Sequence, residues 1–165
     1  MIIIGLDPGL ARTGFGIIDS TRQNSLVRCG CLTTRALDPL PDRLSELAAD
    51  LTAILVHHRP SLAVVEQIFF GSNKKTAIIT AQARGVILHA LQKHHVTISE
   101  LTPLQIKSRL TGHGRATKQQ VQSLIKTHLS LDSFPSSHDD AADALAAALC
   151  GADLPINLKP SSLHD

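Results

Sequence analysis

The order of apolar runs along this chain predicts a mixed α/β fold, a five-stranded sheet flanked by helices. Three observations carry that prediction. Ile2–Leu6 and Leu62–Val65 are short, β-branched runs that read as strands buried on both faces. An amphipathic helix separates them, so the two strands become parallel neighbours through a crossover. Two further strand-like runs, joined by short polar connections, lie between the first strand and that helix. Their economical topology is an antiparallel meander.

Taken in order, the first strand ends at Asp7, because Pro8 and Gly9 cannot continue a central strand. The second runs from Gly14 to Ile18 and the third from Leu26 to Thr34. Asp38, Pro39, Pro41 and Asp42 supply the chemistry of a helix start. Leu44, Leu47, Ala48, Leu51, Ile54 and Leu55 then recur at spacings of three and four. This helix closes near His57 and His58, whose place at the negative helix end suffices to explain them. The fourth strand, Leu62–Glu66, again ends on a carboxylate. A long helix follows from Lys74 to His94, with Ala77, Ile78, Ala81, Gly85, Leu88 and Leu91 on one side. Gly85 costs a helix about 1 kcal/mol relative to alanine. Close approach of another backbone, within the domain or across a dimer, would explain it. Val96–Leu101 is the fifth strand. Thr102 and Thr117 are caps for two shorter helices, the second burying Val121, Leu124, Ile125 and Leu129. The alanine-rich run from His138 to Gly151 is the last helix. Residues 1–151 form one predicted domain, and 152–165 a tail without periodicity.

At 165 residues, with 43% hydrophobic and 18% charged content, a single globular domain with a sizeable core is expected. No apolar run reaches the roughly 20 residues of a membrane helix, and the amino terminus has neither basic leader nor cleavage site. Three cysteines without a CxxC motif suit reduced thiols, so a cytoplasmic protein is predicted. Cys29 and Cys31, two apart on a strand, point the same way. The net charge of +2 conceals an asymmetry. Between Gln67 and Leu131 nine cations face the single acid Glu100, which gives +8 and leaves −6 for the rest. Such a segment suits a polyanion, above all nucleic acid.

Asp7 alone is as well explained by a turn as by a functional site. Glu66 changes the balance, because parallel neighbours would place both carboxylates at one sheet edge, where they repel unless a cation or shared proton relieves them. Asp140 and Asp143, or Asp139 and Asp143, share a face of the last helix. A first-turn acid is ordinary helix capping, but Asp143 lies a turn further in, among alanines. Carboxylates of this kind suit Mg²⁺ or Mn²⁺ rather than zinc, and the nine histidines show no ligand spacing. Two such ions can support phosphodiester hydrolysis. Phe69 and Phe70 stand together in a polar loop just beyond Glu66, and one of them is a candidate to stack on a base. Gly112–Thr117 matches no nucleotide-binding loop pattern. The three meander strands, crossover helix and further parallel strands fit a ribonuclease H-like architecture.

The chain resembles the RuvC family of Holliday junction resolvases. The resemblance is carried by Gly5-Leu6-Asp7-Pro8-Gly9 with Thr13-Gly14-Phe15-Gly16, by Glu66-Gln67-Ile68-Phe69, by Gln82-Ala83-Arg84-Gly85, and by Asp140-Ala141-Ala142-Asp143-Ala144-Leu145-Ala146. It implies an endonuclease that makes paired symmetric nicks in four-way junction DNA during recombination and repair. It further implies a homodimer, the RuvA and RuvB branch-migration proteins as partners, and Mg²⁺ as cofactor, two ions per subunit with Mn²⁺ able to substitute. Carried over by motif, Asp7, Glu66, Asp140 and Asp143 are metal-binding carboxylates, while Lys107 and Lys118 hold phosphate near the cleaved strand. Phe69 matches an aromatic that disturbs base stacking near the crossover. Phe70, Lys74, Lys75, Arg84, Arg109 and Arg115 are further candidate DNA contacts. Two rivals have less support. An actin-like ATPase shares the Gly5–Gly9 pattern but needs two lobes, and a non-catalytic junction-binding module leaves four placed carboxylates to coincidence.

Overall fold

The computed structural model describes residues 1–22, 24–68, 74–134 and 139–154. β1 (Ile2–Asp7), β2 (Arg12–Asp19) and β3 (Ser25–Thr33) form the antiparallel meander. α1 (Leu40–His58) crosses over to β4 (Leu62–Glu66), which pairs with β1 in parallel. α2 (Lys74–Lys93) leads to β5 (Thr97–Leu101), parallel to β4. α3 (Pro103–Thr111), α4 (Lys118–His128) and α5 (Asp139–Ala152) follow. The sheet order is β3-β2-β1-β4-β5, a five-stranded mixed sheet as the apolar runs predict.

Local chemistry accounts for the helix ends. Thr102 and Thr117 each cap their helix and accept a backbone N–H three residues on, from Gln105 and Gln120. Both glutamines reach back to the cap backbone, completing capping boxes. α1 starts after Pro39 without a side-chain cap and ends on Arg59 in the left-handed region (φ 47°). α5 runs one residue into the predicted tail, and 155–165 lie outside the described residues.

Two cores cover the two faces of the sheet. Ile4, Leu6, Phe15, Ile17, Ala63 and Val65 pack with α1 and α2, while Ile3, Ile18, Leu62 and Val64 pack with α3, α4 and α5. α5 is the central piece of the second layer. It is buried from Ala141 through Gly151 except for Asp143. It approaches the sheet closely because Gly5 and Gly14 lie beneath it. A Cβ on Gly5 would overlap the carbonyl oxygen of Ala144, and one on Gly14 that of Asp140. Alanines on the helix and glycines on the strands thus bring two backbones together, and that contact fixes where the acidic end of α5 sits.

The α2 face differs from the sequence expectation. Ala77, Ala83, Ile87, Ala90 and Leu91 are the buried positions. Ile78 is 62% exposed, Ala81 and Gly85 are also exposed, and nothing lies within 4 Å of a Cβ built on Gly85. The helix carries two apolar stripes, and only one meets the fold. Close approach within the domain therefore does not account for Gly85.

Candidate active site

Asp7 and Glu66 close adjacent parallel strands, whose register pairs Leu6 with Val65. The two carboxylates therefore share one sheet edge and, by strand alternation, the face that carries α5. The turn after Asp7 is pinned by Thr13, fully buried, whose hydroxyl donates to the Gly9 carbonyl at 2.6 Å. Asp143 and Asp140 descend onto this edge from α5.

The electrostatics are those of crowded, partly dehydrated like charges. Burial, then Asp143 and Asp140, push the Asp7 carboxyl up to about 7, against a smaller opposing effect of Lys118. Burial, then Asp7 and Asp143, push Glu66 up to about 7, opposed by Lys107. Burial also raises Asp143, with Asp139 and Asp140 adding to it and Lys118 opposing. Lys118 Nζ stands 3.1 Å from Asp139 and 3.8 Å from Asp143. Burial pulls the Lys118 pKa down, but its bond to Asp139 and the charges of Asp143, Asp139 and Asp140 outweigh this and raise it. Lys107 and Lys118 line a cavity of about 270 Å³ with Glu66, Asp143, Pro103, Ile106, Val121 and Ala146. The sequence-predicted carboxylates and both lysines thus come together from five elements.

Neighbouring Asp139 and Asp140 are set apart by the structure. Asp139 is 69% exposed, pairs with Lys118 and accepts from Gln122 at 3.4 Å, so it faces α4. Asp140 presses electrostatically on Asp7 and is ion-paired with Arg12, whose Nε stands 3.0 Å away. The Cys31 thiol donates to the same oxygen of Asp140 at 3.9 Å. Arg12 and Cys31 escaped the sequence reading. The hairpin register holds the missing signal: Gly14 sits opposite both Asp7 and Cys31, and Arg12 lies two residues before it.

Other candidates fall elsewhere. Arg84 is ion-paired with Glu100 of β5, and its Nε is buried without a partner among the described residues. Arg109 lines a separate cavity with Cys150 and Asp153. Arg115 is exposed in the turn between α3 and α4. Phe69, Phe70 and the side chains of Lys74 and Lys75 lie outside the described residues.

The donor set fits a hard divalent cation: four carboxylates, two of them held near neutrality by burial and mutual repulsion, which a cation would relieve. Among the described residues, no three carboxylate, imidazole or thiol side chains already close into an ion cage. Asp140 and Asp143 lean instead on Arg12 and Lys118.

Comparison with known proteins agrees with this fold. Residues 3–151 match the family model described as crossover junction endodeoxyribonuclease RuvC. A relative from Pelotomaculum thermopropionicum with that description is 45% identical over 153 residues, covering 92% of this chain and 93% of its own. The RuvC structure from Thermus thermophilus superposes with a TM-score of 0.83 at 29% identity, covering 92% of this chain and 93% of that one. The same protein in complex with Holliday junction substrate gives 0.86 at 30%, with the same coverage. The fold is ribonuclease H-like.

Proposed function

Because the chain belongs to the RuvC family of crossover junction endodeoxyribonucleases, we propose that it is a metal-dependent endonuclease resolving four-way DNA junctions by paired, symmetric nicks. One observation carries this reading to the residues. Asp7 and Glu66 end adjacent parallel strands, both with pKa pushed to about 7, and the acids of α5 face them. A non-catalytic binding module has no use for buried carboxylates that repel one another.

Asp7, Glu66, Asp140 and Asp143 would hold the metal, with Mg²⁺ the natural ion for an all-carboxylate set beside DNA phosphates and Mn²⁺ its substitute. When bound, such ions activate water and stabilise the leaving oxygen of a phosphodiester. The protein supplies placement. β1 and β4 fix two carboxylates, and the glycine-seated α5 brings the others to them. Lys107 and Lys118, along the same cavity, hold phosphate oxygens and balance charge developing on the reacting group. Two symmetric nicks require two such sites. The unpartnered stripe of Ile78, Ala81 and Gly85 on α2 is the surface on which a second copy would seat, and Gly85 would allow close helix approach. The same proposal extends to cooperation with RuvA and RuvB, a reading that family membership supports. No helix among the described residues is long and apolar enough to cross a membrane; the cytoplasmic location is proposed from the family's action on DNA.

The test is incubation with a synthetic mobile four-way junction and Mg²⁺. Paired nicks of like polarity, with little cutting of linear duplex, are expected, and EDTA should abolish them. Equal cutting of junction and duplex would overturn the proposed substrate.

A further inference from the structure

Arg12 is a cation at the site that lies outside the basic segment. It opens β2 two residues before Gly14, so it shares the sheet face that carries Asp7 and α5. Its Nε lies 3.0 Å from Asp140, yet 59% of the side chain remains open to solvent. A guanidinium offers five N–H donors in a rigid fork, and the ion pair at its Nε holds that fork beside the carboxylates in advance. Exposed ion pairs contribute little to stability, so fold maintenance is a weak reason for the arrangement.

The placement matters because of what stands opposite. β2 lies on one side of β1 and β4 on the other. Lys107 and Lys118 stand with Glu66 and Asp143 on the β4 side, whereas Arg12 stands with Asp140 on the β2 side. A DNA strand laid across the carboxylate row brings phosphates to both flanks, and each phosphate beside a row of acids needs a cation.

The geometry points to Arg12 as a substrate-binding residue: its guanidinium, held by Asp140, clamps a backbone phosphate on the flank opposite Lys107 and Lys118. This rests on the nuclease reading above. Arginine suits the task because it engages a carboxylate and a phosphate through different edges of one planar group.

The test is the salt dependence of junction binding, measured in EDTA for the full chain and for Arg12→Gln, Arg12→Lys and Arg28→Gln. Arg28 is an exposed arginine of β3 away from the carboxylate edge, paired in register with Ile17. In Arg12→Gln the slope of log K against log salt should shrink by about 0.9 for each Arg12 that meets DNA. Arg12→Lys should keep most of the slope, and Arg28→Gln all of it. Mn²⁺ binding to the DNA-free protein, followed by electron paramagnetic resonance, should change by less than about twofold in Arg12→Gln, against the roughly 10–100-fold typical of lost support to a metal ligand. An unchanged slope in Arg12→Gln would overturn the clamp, and with a tenfold loss of Mn²⁺ affinity it would make Arg12 a positioning residue for Asp140. If the unsubstituted chain binds junction no better than duplex, the substrate reading fails, while the slope comparison still decides Arg12 on duplex.

Discussion

Neutralising Asp7 should make the metal-free protein more stable, by an amount that grows as pH rises from about 4 to about 7. The Asp7 carboxyl is raised from 3.8 to about 7, chiefly by burial and then by Asp143 and Asp140. Between those two values the folded chain binds a proton that the unfolded chain does not. Stability therefore falls as pH rises from about 4 to about 7, and is level above. A shift of roughly three pKa units corresponds to about 4 kcal/mol at pH 8. Two effects reduce the gain from Asp7→Asn. Glu66 shares the repulsion, so the two shifts do not add, and the new amide needs hydrogen-bond partners at a half-buried position. About 2 kcal/mol is the expected net gain, a rise in Tm of roughly 4–8 °C for a chain of this size. The assay is thermal unfolding in EDTA at fixed protein concentration, at pH 4 and pH 8, because the proposed self-association would make Tm depend on concentration. A clear rise at pH 8 with none at pH 4 is expected. An equal shift at both pH values, or destabilisation at pH 8, would refute the electrostatic reasoning and return Asp7 to a structural turn.

Three further outcomes follow from the same geometry. Asp7→Asn should abolish junction cleavage while leaving junction binding in EDTA within about threefold, since it removes a proposed metal ligand and not a proposed DNA contact; a gel-shift titration beside a cleavage assay checks both. Lys118→Ala should slow cutting at saturating junction by roughly 10²–10³-fold, the scale of one lost stabilising donor, with a smaller change in binding; an unchanged rate would remove Lys118 from the site. Gly14→Ala should destabilise by about 1–3 kcal/mol through overpacking against the Asp140 carbonyl, and cleavage should fall further than the folded fraction, as read by activity against circular dichroism.

The strands and helix caps were legible because their signals are local. β-branched runs, turn residues and threonine caps act within a few positions, and the crossover rule then placed Asp7 beside Glu66 without any knowledge of packing. What escaped the reading depends on contacts distant in sequence. Gly5 and Gly14 meet α5 some 130 residues away, and a glycine–alanine contact leaves no periodicity to detect. α2 carries two apolar stripes, and sequence spacing does not say which one faces the sheet. Charge counting treated Arg84 as available for DNA, although it is paired with Glu100, and passed over Arg12, which sits in the acidic remainder of the chain.

The site's instability and its position have a common origin. A carboxylate at the mouth of a buried strand loses water, and a second beside it adds repulsion; both effects raise the pKa of Asp7 and Glu66. The fold sustains this because α5 is buried over most of its length and seated on glycine, so the strain falls on a few side chains and not on the packing. Lys118 and Arg12 reduce the repulsion from opposite sides without cancelling it. The carboxylates keep a deficit of positive charge that a divalent cation can fill, and the same deficit predicts that Mg²⁺ stabilises this protein more at pH 8 than at pH 5, where protons already compete for the same oxygens.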